Sequence, residues 1–134
     1  MSNVKYLPWP YGKLGSKERS ELTELKEAGY DFSDPIDIID IFEKKVAKFA
    51  GSKYAIAVNS ASSGIFLCLK HYQNTYGNQK DFPTTITVPS RTYISVPMTV
   101  VNAGFKVKFE DIKWKGIYDL EPFNLVDGAT RWTK

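Results

Sequence analysis

The chain has 134 residues, 43% of them hydrophobic and 25% charged, which fits a single globular domain and excludes disordered and membrane-embedded classes. Its net charge of +3 comes from 18 basic and 15 acidic residues that are dispersed, without the basic run expected of a nucleic-acid surface. One cysteine and one histidine exclude an internal disulfide and a Cys/His metal cluster.

The N-terminal residues Met1 to Lys5 lack an apolar leader, and no stretch has the length of a membrane span, so the expected location is cytoplasmic. Residues 1–16, with Pro8-Trp9-Pro10-Tyr11-Gly12, read as an irregular, ring-rich arm. A polar helix follows from Lys17 to Ala28, with Leu22 and Leu25 inward and Gly29 as its stop. Residues 1–33 are therefore expected to form an arm and helix ahead of an α/β domain over 34–134.

Asp34-Pro35 opens the next helix, Asp as the cap and Pro at the first helical position. Ile39, Phe42, Val46 and Phe49 recur at helical spacing and predict one buried stripe, ended by Gly51. Tyr54 to Val58 is a nearly all-apolar run of the kind buried on both faces of a parallel sheet. A helix then carries Ile65, Cys68, Leu69, Tyr72 and Tyr76 on one face, with Cys68 expected in the core and His71 on the surface. Thr85 to Val88 is a second strand. Pro97 is compatible only with the first turn of a helix, so that helix is expected from about Ser95 to Ala103. Lys106 to Phe109 reads as a third strand, and Phe123 to Val126 as a short fourth running into Asp127. Strands alternating with helices imply right-handed crossovers and a mostly parallel sheet flanked by helices.

Three places on the carboxyl edge of such a sheet carry chemistry. At Asn59 to Gly64 a helix N-terminus offers unpaired N–H groups, hydroxyls on Ser60, Ser62 and Ser63, and the small Ala61 and Gly64, a combination suited to a phosphate. The same pattern equally suits a serine that merely caps the helix. At Pro89 to Tyr93, Tyr93 has the ring to stack on a flat ligand, although the residues alone favour a core tyrosine. Asp127 ends the fourth strand and is either a carboxylate awaiting a cationic partner or a turn residue before Gly128.

In combination, these motifs resemble the DegT/StrS family of sugar aminotransferases. The run Phe42 to Gly64 is similar to that family's FEEEFAKYxGxKYAVAVSSGTAAL, Ile86 to Tyr93 to its IVPSFTF, and Asn102 to Ile112 to its NAGAKPVFVDID. The likeness runs from about Trp9 to the end and is strongest between Phe42 and Ile112. It implies a partial fold-type-I large domain that binds pyridoxal 5'-phosphate (PLP). By this resemblance Ser60, Ala61 and Ser62 hold the cofactor phosphate, Tyr93 stacks on the pyridine ring and Asp127 pairs with the ring nitrogen. Two departures stand out: the segment between Ile112 and Val126 is abbreviated, and Thr130 stands where the family often has Gln.

The resemblance further places the Schiff-base lysine well after the aspartate. Lys134 lies only seven residues on, so no catalytic residue is assigned within this chain, and alone it is expected to be inactive. The whole enzyme would transfer an amino group from an amino acid such as glutamate to a nucleotide-linked keto-sugar. Its expected partner is a second copy or a complementary C-terminal chain, with no nucleic acid, membrane or metal. A non-catalytic relative that binds PLP or a partner, and a small phosphate- or nucleotide-binding module, are the alternative readings.

Overall fold

A computed structural model describes residues 20–30 and 34–131; the N-terminal arm, the start of the first helix and Lys134 lie outside these residues. The described residues up to Ile41 form one unit and those from Phe42 onward another. In the first, α1 (Ser20–Glu27) stops at Gly29, whose φ of 88° suits a residue without Cβ. Leu25 is half-buried. The helix α2 (Pro35–Ala50) begins as the sequence predicts, the Asp34 carboxylate accepting the Ile36 N–H at 2.8 Å.

The second unit takes the last turns of α2, then α3 (Ala61–Tyr76), β1 (Thr85–Pro89), α4 (Ser95–Asn102), β2 (Lys106–Glu110), β3 (Tyr118–Asp119) and β4 (Val126–Asp127). Strands β1 and β2 pair in parallel, Thr85 opposite Lys106 through Pro89 opposite Glu110, and α4 is the crossover between them. Strands β3 and β4 form a separate antiparallel pair with Tyr118 opposite Asp127. The predicted fourth strand is thus shorter than expected and displaced to Val126, and the link before it contains β3.

The core lies between the sheet and the two helices. Ile65 and Leu69 from α3, Ile86 and Val88 from β1, Val96 and Val100 from α4, and Tyr118 and Leu120 from the β3 region meet there. Ile86 and Val88 face it together because alternate strand residues share a face. Pro97 occupies the first turn of α4, where its missing N–H removes no helical bond. Beside this core, Tyr72 stacks on Phe123 at 4.4 Å, and Phe123 also meets Phe82 and Phe105 at 5.6 Å each. That cluster anchors the abbreviated 112–126 segment to α3.

Three expectations fail. Tyr54 to Val58 forms no ladder, and Ile56 is 79% exposed. The Ala57 N–H instead donates to the Glu43 carboxylate at 2.7 Å, while the free edge of β1 gives the Thr87 N–H to the Glu121 carbonyl at 2.8 Å. One backbone donor of each segment is thereby spent outside a shared sheet. On α2 most of the predicted stripe is not buried: Ile39, Phe42 and Phe49 are exposed, Val46 is half-buried, and Ala47 rather than a large residue is buried. Cys68 is exposed, one position around α3 from the buried Leu69, although nearby atoms still push its thiol pKa upward by desolvation. Among the described residues, no helix is long and apolar enough to cross a membrane, and no group of three or more side chains is placed to hold a metal ion.

Candidate functional site

The turn from Val58 into α3 is organised by side chains. Ser60 has an extended backbone, and its Oγ accepts the Ser63 N–H at 3.1 Å, while the Ser63 hydroxyl donates to Asn59 Oδ1 at 2.7 Å. Ser60 is therefore the helix cap. Gly64 packs toward Val58 rather than toward a ligand, since a Cβ there would meet the Val58 side chain at 3.6 Å. The amides of Ala61 and Ser62 make no hydrogen bond among the described residues, which leaves two N–H groups at the positive end of a 16-residue helix.

A cavity of about 340 Å³ opens beside these amides. Ala61, Ser62 and Ile65 line it from α3, Thr92, Tyr93, Ser95 and Val96 from the β1–α4 connection and the start of α4, and Trp114, Tyr118 and Asp127 from the later part of the chain. The starts of α3 and α4 are tied together there, the Ser62 hydroxyl donating to Ser95 Oγ at 2.8 Å. With Ser62 spending its proton on Ser95, the Ser95 hydroxyl retains one to offer an acceptor in the cavity. A second cavity of similar volume lies among Arg91, Asp111, Lys113 and Trp114, but none of the predicted site residues reaches it.

Asp127 is held by its strand partner. The Tyr118 hydroxyl donates to Asp127 Oδ2 at 2.5 Å and also contacts Thr92 Oγ1 at 2.6 Å. Trp114 packs edge-on against the Tyr118 ring at 4.8 Å, and its indole N–H donates to the Arg91 carbonyl at 2.7 Å. Desolvation and the neighbouring carboxylate push the Tyr118 pKa up to about 12, against an opposing pull from the Thr92 hydrogen bond.

The sign of the resulting pH dependence follows from linkage. Because folding raises the phenol pKa above its ordinary value near 10, the folded state keeps a proton that the unfolded state releases. The stabilisation is complete below about pH 10 and is lost as pH rises toward 12. Denaturant midpoints measured from pH 9 to 12 should therefore fall more steeply for the wild type than for Tyr118→Phe, and parallel curves would refute this.

Of the residues predicted to bind a cofactor, the structure brings Ala61, Ser62, Tyr93 and Asp127 to one cavity and leaves Ser60 outside its lining as the cap. Tyr93 is 76% exposed and not the core tyrosine that its residue type favours. Sequence reasoning missed Ser95, Thr92 and Tyr118. Thr92 adjoins Tyr93 and could have been found from that; Tyr118 lies in a link without periodicity, and nothing marks it before β3 and β4 are paired.

Comparison with known proteins matches residues 14–123 to the model of the DegT/DnrJ/EryC1/StrS aminotransferase family. The spore coat polysaccharide biosynthesis protein SpsC of Bacillus subtilis (strain 168) is 33% identical over 129 residues, 96% of this chain and 31% of that protein. The dTDP-3-amino-3,6-dideoxy-alpha-D-galactopyranose transaminase of Aneurinibacillus thermoaerophilus is 30% identical over 98 residues, 72% of this chain and 24% of that one. No solved structure matches. The chain thus spans about a third or less of the length of these relatives, and Asp127 lies just past the residues matched by the family model. With most of its length matched, the chain belongs to the DegT/DnrJ/EryC1/StrS aminotransferase family.

Proposed function

We propose that this chain carries the PLP-binding part of an aminotransferase acting on a nucleotide-linked keto-sugar, with an amino acid such as glutamate as donor. One observation carries the reading: Ala61, Ser62, Tyr93 and Asp127, far apart in sequence, line a single cavity. The donor set fits the cofactor. Two free amides and the Ser95 hydroxyl suit a phosphate, the exposed Tyr93 ring suits a flat heterocycle, and the carboxylate suits a protonated ring nitrogen. The volume is also ample for a small ligand.

When bound, PLP supplies an electron sink for the electron pair released at the donor's α-carbon. The residues of this chain bind and orient it. Asp127 would favour a proton on the ring nitrogen, the α3 amides would hold the phosphate, and Tyr93 would stack on the ring. The name of the dTDP-sugar transaminase relative supports a nucleotide-linked sugar as the substrate class. Complete transamination is assigned to a protein the length of its relatives, and the partner to a second copy or a complementary chain.

Titrating the purified chain with PLP and following protein fluorescence tests the reading. Saturable one-to-one binding is expected, with weaker binding of pyridoxal, which lacks the phosphate. Borohydride treatment of the complex should leave no single lysine labelled stoichiometrically. Absence of saturable binding would refute the proposal, and a stoichiometric adduct at Lys134 would give that residue the Schiff-base role.

A further inference from the structure

The Asp127 carboxylate is fixed by a two-member chain of hydroxyls. Tyr118 stands directly opposite it in the β3–β4 register and is 5% exposed. A phenol carries one proton, and that proton goes to Asp127 Oδ2 at 2.5 Å. The 2.6 Å contact with Thr92 Oγ1 then has a single direction: Thr92 donates and the Tyr118 oxygen accepts. The order is Thr92 to Tyr118 to Asp127. The Asp127 side chain makes no other hydrogen bond among the described residues, so Oδ1 is the oxygen left for a ligand.

The chain also joins separate parts of the site. Thr92 belongs to the connection after β1 that carries Tyr93, and Asp127 ends β4. Trp114 restrains the Tyr118 ring and is itself bonded to the Arg91 carbonyl at 2.7 Å, next to Thr92. An aspartate otherwise turns freely about two side-chain torsions. Here a buried ring on the partner strand holds one of its oxygens.

We propose that Tyr118 is the positioning residue for Asp127, its phenol engaging one carboxylate oxygen so that the other is presented to the pyridine nitrogen of PLP. The proposal rests on the reading of the cavity as a PLP site. Tyr118 touches neither the cofactor's reacting atoms nor substrate in this role. It acts through Asp127, and Thr92 acts through Tyr118.

Three measurements on the purified chain separate positioning from mere packing. In the free chain, the Tyr118 hydroxyl proton should give a slowly exchanging NMR signal that vanishes in Tyr118→Phe and shifts in Asp127→Asn. With PLP carrying a labelled ring nitrogen, the wild type should show the protonated nitrogen. Tyr118→Phe should bind about tenfold more weakly, the loss expected for one hydrogen bond to a charged group, and move the nitrogen signal toward its unprotonated position. Thr92→Val, which keeps the side-chain shape, should move the signal in the same direction by less, and Thr92→Ser should restore it. Thermal unfolding of each variant tells whether it is folded. Wild-type affinity and nitrogen shift in folded Tyr118→Phe, with both lost in Asp127→Asn, would overturn this proposal alone. If Tyr118→Phe fails to fold, an unmoved nitrogen signal in Thr92→Val overturns it. A wild-type chain that does not bind PLP would overturn both this proposal and the function on which it rests.

Discussion

Leu69→Ala is expected to destabilise the second unit by about 2–5 kcal/mol, while Ile56→Ala changes stability by less than about 0.5 kcal/mol. Both are large aliphatic residues in apolar runs, and the sequence gives no reason to rank them. The difference is cover. Leu69 is 0% exposed, packed among α3, α4 and β1, so truncation removes transfer energy and leaves a cavity in a close-packed core. Ile56 projects into solvent from a segment without a ladder, so truncation removes little that is buried. Urea midpoints at constant slope measure both. Comparable losses at the two positions would mean that residues 54–58 are covered in solution, by self-association or by refolding into the sheet, and repeating the measurement across protein concentrations separates these causes.

That contrast also marks how far the sequence could be read. Local signals were reliable where the physics is local. The Asp34-Pro35 start of α2, Gly29 after α1 and Pro97 in the first turn of α4 depend on atoms within a few residues. The β1–α4–β2 unit was legible for a related reason, since two strands joined by one helix have a single favoured handedness. Burial was less legible because periodicity identifies an apolar face without identifying what covers it. The stripe Ile39, Phe42 and Phe49 and the run Tyr54 to Val58 have the right pattern and lie exposed. Cys68 shows the same limit at the scale of one residue: a rotation of one position on α3 separates it from the buried Leu69.

The site divides in the same way. Ala61, Ser62, Tyr93 and Asp127 each follow a strand or turn at a recognisable place, and their order carried the resemblance. Tyr118 depends on an antiparallel pairing across the abbreviated 112–126 segment, where the sequence has neither period nor motif. Its link to Asp127 is visible only in the structure, as a hydrogen bond of 2.5 Å. Ser95 was read simply as a helix start, and its second part, as the acceptor of the Ser62 hydroxyl and a donor into the cavity, needs α3 beside α4.

Asp127→Ala should lower affinity for PLP by about two orders of magnitude, because truncating one partner of a hydrogen-bonded charge pair costs about 2–5 kcal/mol. The expected loss falls on the ring end alone. The amides of Ala61 and Ser62 are untouched by the substitution, so inorganic phosphate should compete with PLP with the same inhibition constant in the variant and the wild type. Asp127→Asn keeps the size and an acceptor oxygen but removes the charge, and should lose nearly as much as alanine if the charge is what the ring nitrogen requires. The fold should tolerate either change. Tyr118 loses its acceptor in Asp127→Ala but keeps its contact with Thr92, for an expected destabilisation of about 1 kcal/mol. Affinity measured beside a denaturant midpoint therefore distinguishes a site effect from a folding effect. If PLP affinity in Asp127→Ala stays within a factor of three of wild type while the protein is folded, the carboxylate is a turn residue with a tyrosine partner, and the ring nitrogen finds its counter-ion elsewhere.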